Sequence, residues 1–110
     1  MKLWLDDARP APDGWVSARS YYEAVEMLMA GWVVEVSLDY DLDLEEVATT
    51  ASGLAIATSN YGAKSGYDVA RWIEKAAADG RIPAPVMYCH STNPIGKQLI
   101  TAVIERMSWK

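Results

Sequence analysis

Trp32-Val33-Val34-Glu35-Val36-Ser37-Leu38 runs directly into Asp39-Tyr40-Asp41-Leu42. The valine-rich run has the composition of a buried strand, and it stops where charge begins. Two other stretches repeat the pattern. Lys2–Leu5 ends at Asp6-Asp7, and Val86–Cys89 ends at His90-Ser91. Apolar runs that each terminate in polar, chemistry-bearing residues suit a parallel sheet, where ligands gather beyond the carboxyl ends of the strands.

Helical segments separate these runs. Ser20 followed by Glu23 matches a capping box, and Tyr21, Ala24, Val25 and Leu28 then share a face up to a stop at Gly31. Ser65 with Asp68 opens a second helix with Val69, Ala70, Ile73 and Ala77 inward and Gly80 at its end. Asn93-Pro94 reads as an N-cap and first helical position of a third, whose apolar stripe is Ile95, Leu99, Val103, Ile104 and Met107. The alternation favours a mostly parallel sheet covered by helices. Trp15–Ala18 is a weaker strand candidate. The Pro-rich link from Asp7 to Gly14 is short for a parallel crossover, so this segment reads as an edge strand or no strand.

The 42–65 stretch begins acidic and becomes rich in small residues. It exceeds an ordinary loop and reads as a lid over the acidic site or an insertion, with Leu54–Thr58 as a short strand or helical turn.

The 110 residues are expected to form a single domain, 1–110. A net charge of −5 argues against binding to a DNA duplex. The single cysteine, Cys89, cannot form an internal disulfide and should face the core if His90 faces out. The first twenty residues do not resemble a signal peptide, and no run reaches the roughly 20 apolar residues of a membrane span. The expectation is a cytoplasmic protein with no membrane partner.

Gathered carboxylates repel one another unless a cation sits among them or some take up protons. Asp6, Asp7 and Asp39 are therefore the expected metal ligands, and hard oxygen donors point to Mg²⁺ or Ca²⁺, with Mg²⁺ the better match to a phosphate site. The bland alternative is that each aspartate caps a turn. Asp41 lies between these cases, whereas Asp43, Glu45 and Glu46 read as a solvated loop face. His90 could serve as general acid or base, Arg9 could clamp a phosphate, and the helix start after Asn93 could bind an anion through backbone N–H groups. Ser91 shows no base-plus-orienter pattern and is a weak nucleophile candidate. Trp4, Trp15 and Tyr40 could stack on a base. Core packing is the stronger reading for the two tryptophans, and Tyr40 should lean away from Asp39.

Leu5-Asp6-Asp7, Ser37-Leu38-Asp39-Tyr40-Asp41-Leu42, Gly66-Tyr67-Asp68-Val69 and His90-Ser91-Thr92-Asn93-Pro94 together resemble response-regulator receiver domains. The resemblance is closest to their divergent branch described as cyclic-phosphate-processing receiver domains. It implies a small three-layer α/β/α, flavodoxin-like domain with a reduced, mostly parallel sheet of three or four strands. It places Asp6 and Asp7 beside Asp39 and implies Mg²⁺ at the acidic pair, a phosphoryl-accepting position at Asp39 and the hydroxyl position at Ser91. The expected metal set is Mg²⁺ (or Mn²⁺) at Asp6, Asp7 and Asp39. Asp39 and His90 become the expected catalytic pair, with Arg9, Asp41, Ser91 and Asn93 around the phosphate. The implied function is divalent-metal-dependent binding or processing of a cyclic phosphate, as a phosphoesterase. The ligand would be a small phosphorylated molecule such as a cyclic nucleotide, or a 2′,3′-cyclic phosphate RNA end. The alternative is a non-catalytic receiver-like signalling or nucleotide-binding module. Two departures bear on that choice: the first receiver helix gives way to the Pro-rich loop, and the final strand with its lysine is missing. Both weaken a phospho-switch.

Overall fold

The computed structural model describes residues 1–42, 47–49, 55–57 and 64–108. In chain order the elements are β1 (Lys2–Leu5), β2 (Trp15–Ala18), α1 (Tyr21–Met29), β3 (Glu35–Leu38), β4 (Val47–Thr49), β5 (Ala55–Ala57), α2 (Gly66–Ala78), β6 (Val86–Cys89) and α3 (Pro94–Met107). Four strands form a parallel sheet in the order β2-β1-β3-β6. The domain is thus a small α/β, receiver-like fold. β4 and β5 pair separately and antiparallel, so the Leu54–Thr58 expectation resolves as a strand at Ala55–Ala57. The rest of the expected lid lies outside the described residues. Among the described residues no helix is long and apolar enough to cross a membrane.

The helix starts follow their local chemistry. Ser65 accepts from the Asp68 N–H while the Asp68 carboxylate accepts from the Ser65 N–H, a complete capping box. At α1 the exchange is displaced: Ser20 Oγ accepts from Glu23 N–H, but Glu23 reaches back to the N–H of Arg19. Gly31 and Gly80 follow their helices at φ 84° and 74°, the left-handed geometry that terminates a helix.

Register places Leu3, Leu5, Val36, Leu38 and Met87 on one face of the sheet. All are buried in one core with Ala24 and Leu28 of α1, Val69, Ala70 and Ile73 of α2, and Ile100 and Val103 of α3. Helix α2 packs between α1 and α3. The three helices therefore share one side of the sheet. Among the described residues there are two layers where the family resemblance implies three, because the loop after β1 carries no helix to the other side. Trp15–Ala18 is a true edge strand, joined to β1 in parallel without a helix between them. Trp4, Trp15, Glu35, Ser37 and Tyr88 lie on the uncovered side and cover it with their own contacts, including an edge-on Trp4–Trp15 pair and a Tyr88–Glu35 hydrogen bond.

Two expectations need correction. The third strand was expected from Trp32, but it begins at Glu35, and Trp32 is 73% exposed. The α3 stripe holds at Val103, which is buried, and at Ile104 and Met107, which pack on the core, but at its start Gly96 and Ile100 face inward whereas Ile95 is 69% exposed. The cause is Tyr40, whose ring packs so tightly on Gly96 that a Cβ there would overlap it. Gly66 is equally constrained, since a Cβ would overlap the Asp39 carbonyl. Its N–H donates to the Tyr40 carbonyl at 3.0 Å. These two glycines seat the turn after β3 between α2 and α3.

Gly66→Ala should consequently cost about 3 kcal/mol, the upper end of overpacking penalties, read as a lower urea midpoint. An unchanged midpoint would refute the close approach.

Candidate functional site

The parallel ladder continues one residue past each strand. Asp6 N–H donates to the Ala18 carbonyl, Asp39 N–H to Leu5, and His90 N–H to Leu38, each at 3.0 Å. Asp6, Asp39 and His90 thus stand in a row at the carboxyl end of the sheet, as the strand-end reading anticipates.

Asp6 is 1% exposed. Its Oδ1 accepts from the N–H groups of Ala8 and Arg9, both at 2.9 Å. Its Oδ2 accepts from Arg9 Nε at 2.8 Å and lies 3.1 Å from His90 Nε2. Burial alone would push this carboxyl up, but the bonds from Arg9 and Ala8 outweigh it and hold Asp6 below the ordinary value. An ionised carboxylate only accepts, so His90 Nε2 carries a proton. In the neutral ring Nδ1 is then the acceptor for the Ser37 hydroxyl, 2.7 Å away. The imidazole also stacks flat on Trp4, at 3.7 Å between centroids and 4° between planes. Burial holds the His90 pKa below its ordinary value, and the Asp6 bond offsets this only in part.

Asp39 is shifted the other way. Burial raises its carboxyl first, and the charge of Asp6 adds to it. The Tyr40 N–H, Arg9 and the Ser91 hydroxyl pull it back only partly. Ser91 is buried, and its Oγ also accepts from the Asn93 N–H. Arg9 bridges the group: its Nη2 donates to the His90 carbonyl at 3.1 Å and lies 4.0 Å from Asp39 Oδ1.

Other expected residues play different parts. Asn93 is indeed the α3 cap, with Oδ1 accepting from the N–H groups of Ile95 and Gly96. That cap corrects the anion-site expectation, because Pro94 has no N–H and Lys97 N–H donates to the Asn93 carbonyl. Asn93 Nδ2 turns instead to the Asp41 carboxylate, at 3.3 Å. Tyr40 leans away from Asp39 onto Gly96, and Cys89 packs on the core side. Trp4 belongs to neither expected role, since it forms the platform under His90. Its indole N–H meets no acceptor among the described residues. Ser37 and the Trp4 platform were missed by sequence reasoning. The available signal was a lone serine in an apolar strand.

One group among the described residues has metal-binding spacing: Asp6, Asp39 and His90, with ligand atoms within 4.8 Å of one another. Asp7 is half-buried and is not part of that group. The donor chemistry does not fit Mg²⁺ as the residues stand. A carboxylate has about four lone-pair sites, and all of those on Asp6 accept hydrogen bonds. Both nitrogens of His90 are also engaged.

A histidine whose folded pKa lies below the unfolded 6.5 contributes stability above that pH and loses it as pH falls. Asp39, being raised, acts with the opposite sign and nearer the carboxylate range. Unfolding free energy measured from about pH 8 down to about pH 5 should therefore fall in the native protein. In His90→Gln that slope should flatten, and an identical slope in both would contradict the buried neutral ring.

Comparison with known proteins follows the same line. No curated protein and no solved structure matches the chain. A family model, described as the cyclic-phosphate processing receiver domain, matches residues 1–106. That match spans every strand of the parallel sheet and the whole row of strand-end residues, and on it the chain belongs to the family of cyclic-phosphate processing receiver domains.

Proposed function

We propose that this domain binds and hydrolyses a cyclic phosphate ester at the carboxyl end of its sheet. A cyclic nucleotide or a 2′,3′-cyclic phosphate RNA end is the expected ligand. The carrying observation is the convergence of Arg9, Asp39 and His90 on one strand-end row, in a family tied to cyclic-phosphate processing. Arg9 is half exposed and supplies positive charge toward a phosphate. The pKa of Asp39 is raised, which makes its carboxylate a better base for an attacking water. In this reading water oxygen bonds to phosphorus as one ring P–O bond breaks. Asp39 takes the water proton, and His90 supplies a proton to the departing oxygen. A bound anion favours the imidazolium that burial disfavours in the free protein. Asp6 stabilises that cation through Nε2, while Ser37 releases Nδ1, whose proton goes to the departing oxygen.

One observation favours binding without turnover. Both His90 nitrogens are engaged within the protein, so a catalytic role requires the ring to release a bond.

Phosphorus NMR of 2′,3′-cyclic and 3′,5′-cyclic nucleotides, with Mg²⁺ and separately with EDTA, separates these outcomes. The expected result is a ring-opened monoester formed with a bell-shaped pH profile. His90→Gln should slow it by about a hundredfold or more and remove the limb set by the acid. Binding with no product would leave the capture reading, and neither binding nor product would sink both.

A further inference from the structure

Arg9 is held from several sides. Its own N–H and its Nε both donate to Asp6, at 2.9 and 2.8 Å. Its Nη2 donates to the His90 carbonyl at 3.1 Å and lies 4.0 Å from Asp39 Oδ1. The guanidinium therefore touches the ends of β1, β3 and β6 together. That is the place a divalent cation needs to occupy to use Asp6 and Asp39 at once.

The competition is chemical as well as spatial. Mg²⁺ needs carboxylate lone pairs in near-ideal geometry and gives up its own waters reluctantly. Those of Asp6 are filled by two backbone N–H groups, Arg9 Nε and His90 Nε2. Two carboxylates face one guanidinium, which halves the net negative charge that would attract an ion. A guanidinium is also weakly hydrated and planar, which suits it to a part-buried position between carboxylates.

We infer that Arg9 is a built-in counter-ion that takes the cation position of this acidic row, so that the native site excludes divalent metals and meets an anionic ligand with a guanidinium. This goes beyond the proposed hydrolysis and holds whether or not an ester is turned over.

The test uses Mn²⁺ alone, with no nucleotide present, so its outcome is independent of the ester reading. His90 is the only histidine, and its ring signals are therefore unambiguous reporters of a paramagnetic ion at the row. In the native chain, equimolar Mn²⁺ should leave them sharp. In Arg9→Gln they should broaden, with Mn²⁺ affinity by calorimetry tightened by about tenfold or more. Adding Asp39→Asn to that variant should cancel the gain. Broadening of His90 in the native chain, or native affinity in a folded Arg9→Gln, would overturn the inference. If Arg9→Gln does not fold, the native protein still decides the matter through its Arg9 Nε–H signal during Mg²⁺ titration. Persistence supports a fixed counter-ion, and loss of the signal refutes it.

Discussion

A carboxylate that is 1% exposed must be satisfied by hydrogen bonds or give up its charge, and Asp6 takes the first course. Four donors converge on it, from Ala8, Arg9 twice, and His90. Much of the upper end of the sheet depends on this one group. The two backbone donors fix the first turn of the loop that carries the chain to β2. The Arg9 bond anchors a guanidinium across the neighbouring strand ends. The His90 bond sets which nitrogen carries the proton, and so makes Ser37 the donor at the other nitrogen. Exposed ion pairs contribute little, but this one is sealed on the Asp6 side, and removing a partner leaves a buried charge uncompensated.

The other half of the row is held by packing. Asp39 leaves β3 into a turn that α2 and α3 approach at Gly66 and Gly96. Tyr40 fills the space a side chain at Gly96 would need, and the Gly66 N–H caps the Tyr40 carbonyl. Glycine is required here because of close approach, since neither residue has positive φ. The backbone on either side of Asp39 is therefore fixed, and its carboxyl is kept in a poorly solvated place. That burial is the first cause of its raised pKa.

The sequence made the local features legible. Ser65-Asp68 and Asn93-Pro94 form the caps they spell, because a cap involves residues only three or four apart. The strand ends were legible because hydrophobicity stops abruptly at Asp6, Asp39 and His90. What escaped depends on distant partners. The inward face of α3 is chosen by Tyr40, more than fifty residues earlier, so Ile95 looked like core and is exposed. Ser37 meets His90 only through the β3–β6 register. Arg9 could be proposed as a phosphate clamp, but its bonds to Asp6 and to the His90 carbonyl follow from loop geometry that no local pattern encodes. The expected third layer failed for a similar reason, because the short loop after β1 leaves Trp4, Trp15 and Tyr88 to cover the open side.

The two buried carboxylates then divide the work. Asp6 and Asp39 sit on adjacent strands, in one field, yet their pKa values move apart. Like charges this close cannot both ionise at low cost, and the protein eases the conflict by giving more and shorter donor contacts to Asp6 than to Asp39. Asp6 is the one held as an anion by its donors, and it holds Arg9 and faces His90. Asp39, with fewer donors and the repulsion of Asp6 against it, is the one of the two that takes up a proton more readily. Paired carboxylates suggest shared metal ligation when read from sequence. Their unequal hydrogen bonding favours a different division, in which one positions the cationic groups and the other carries the proton.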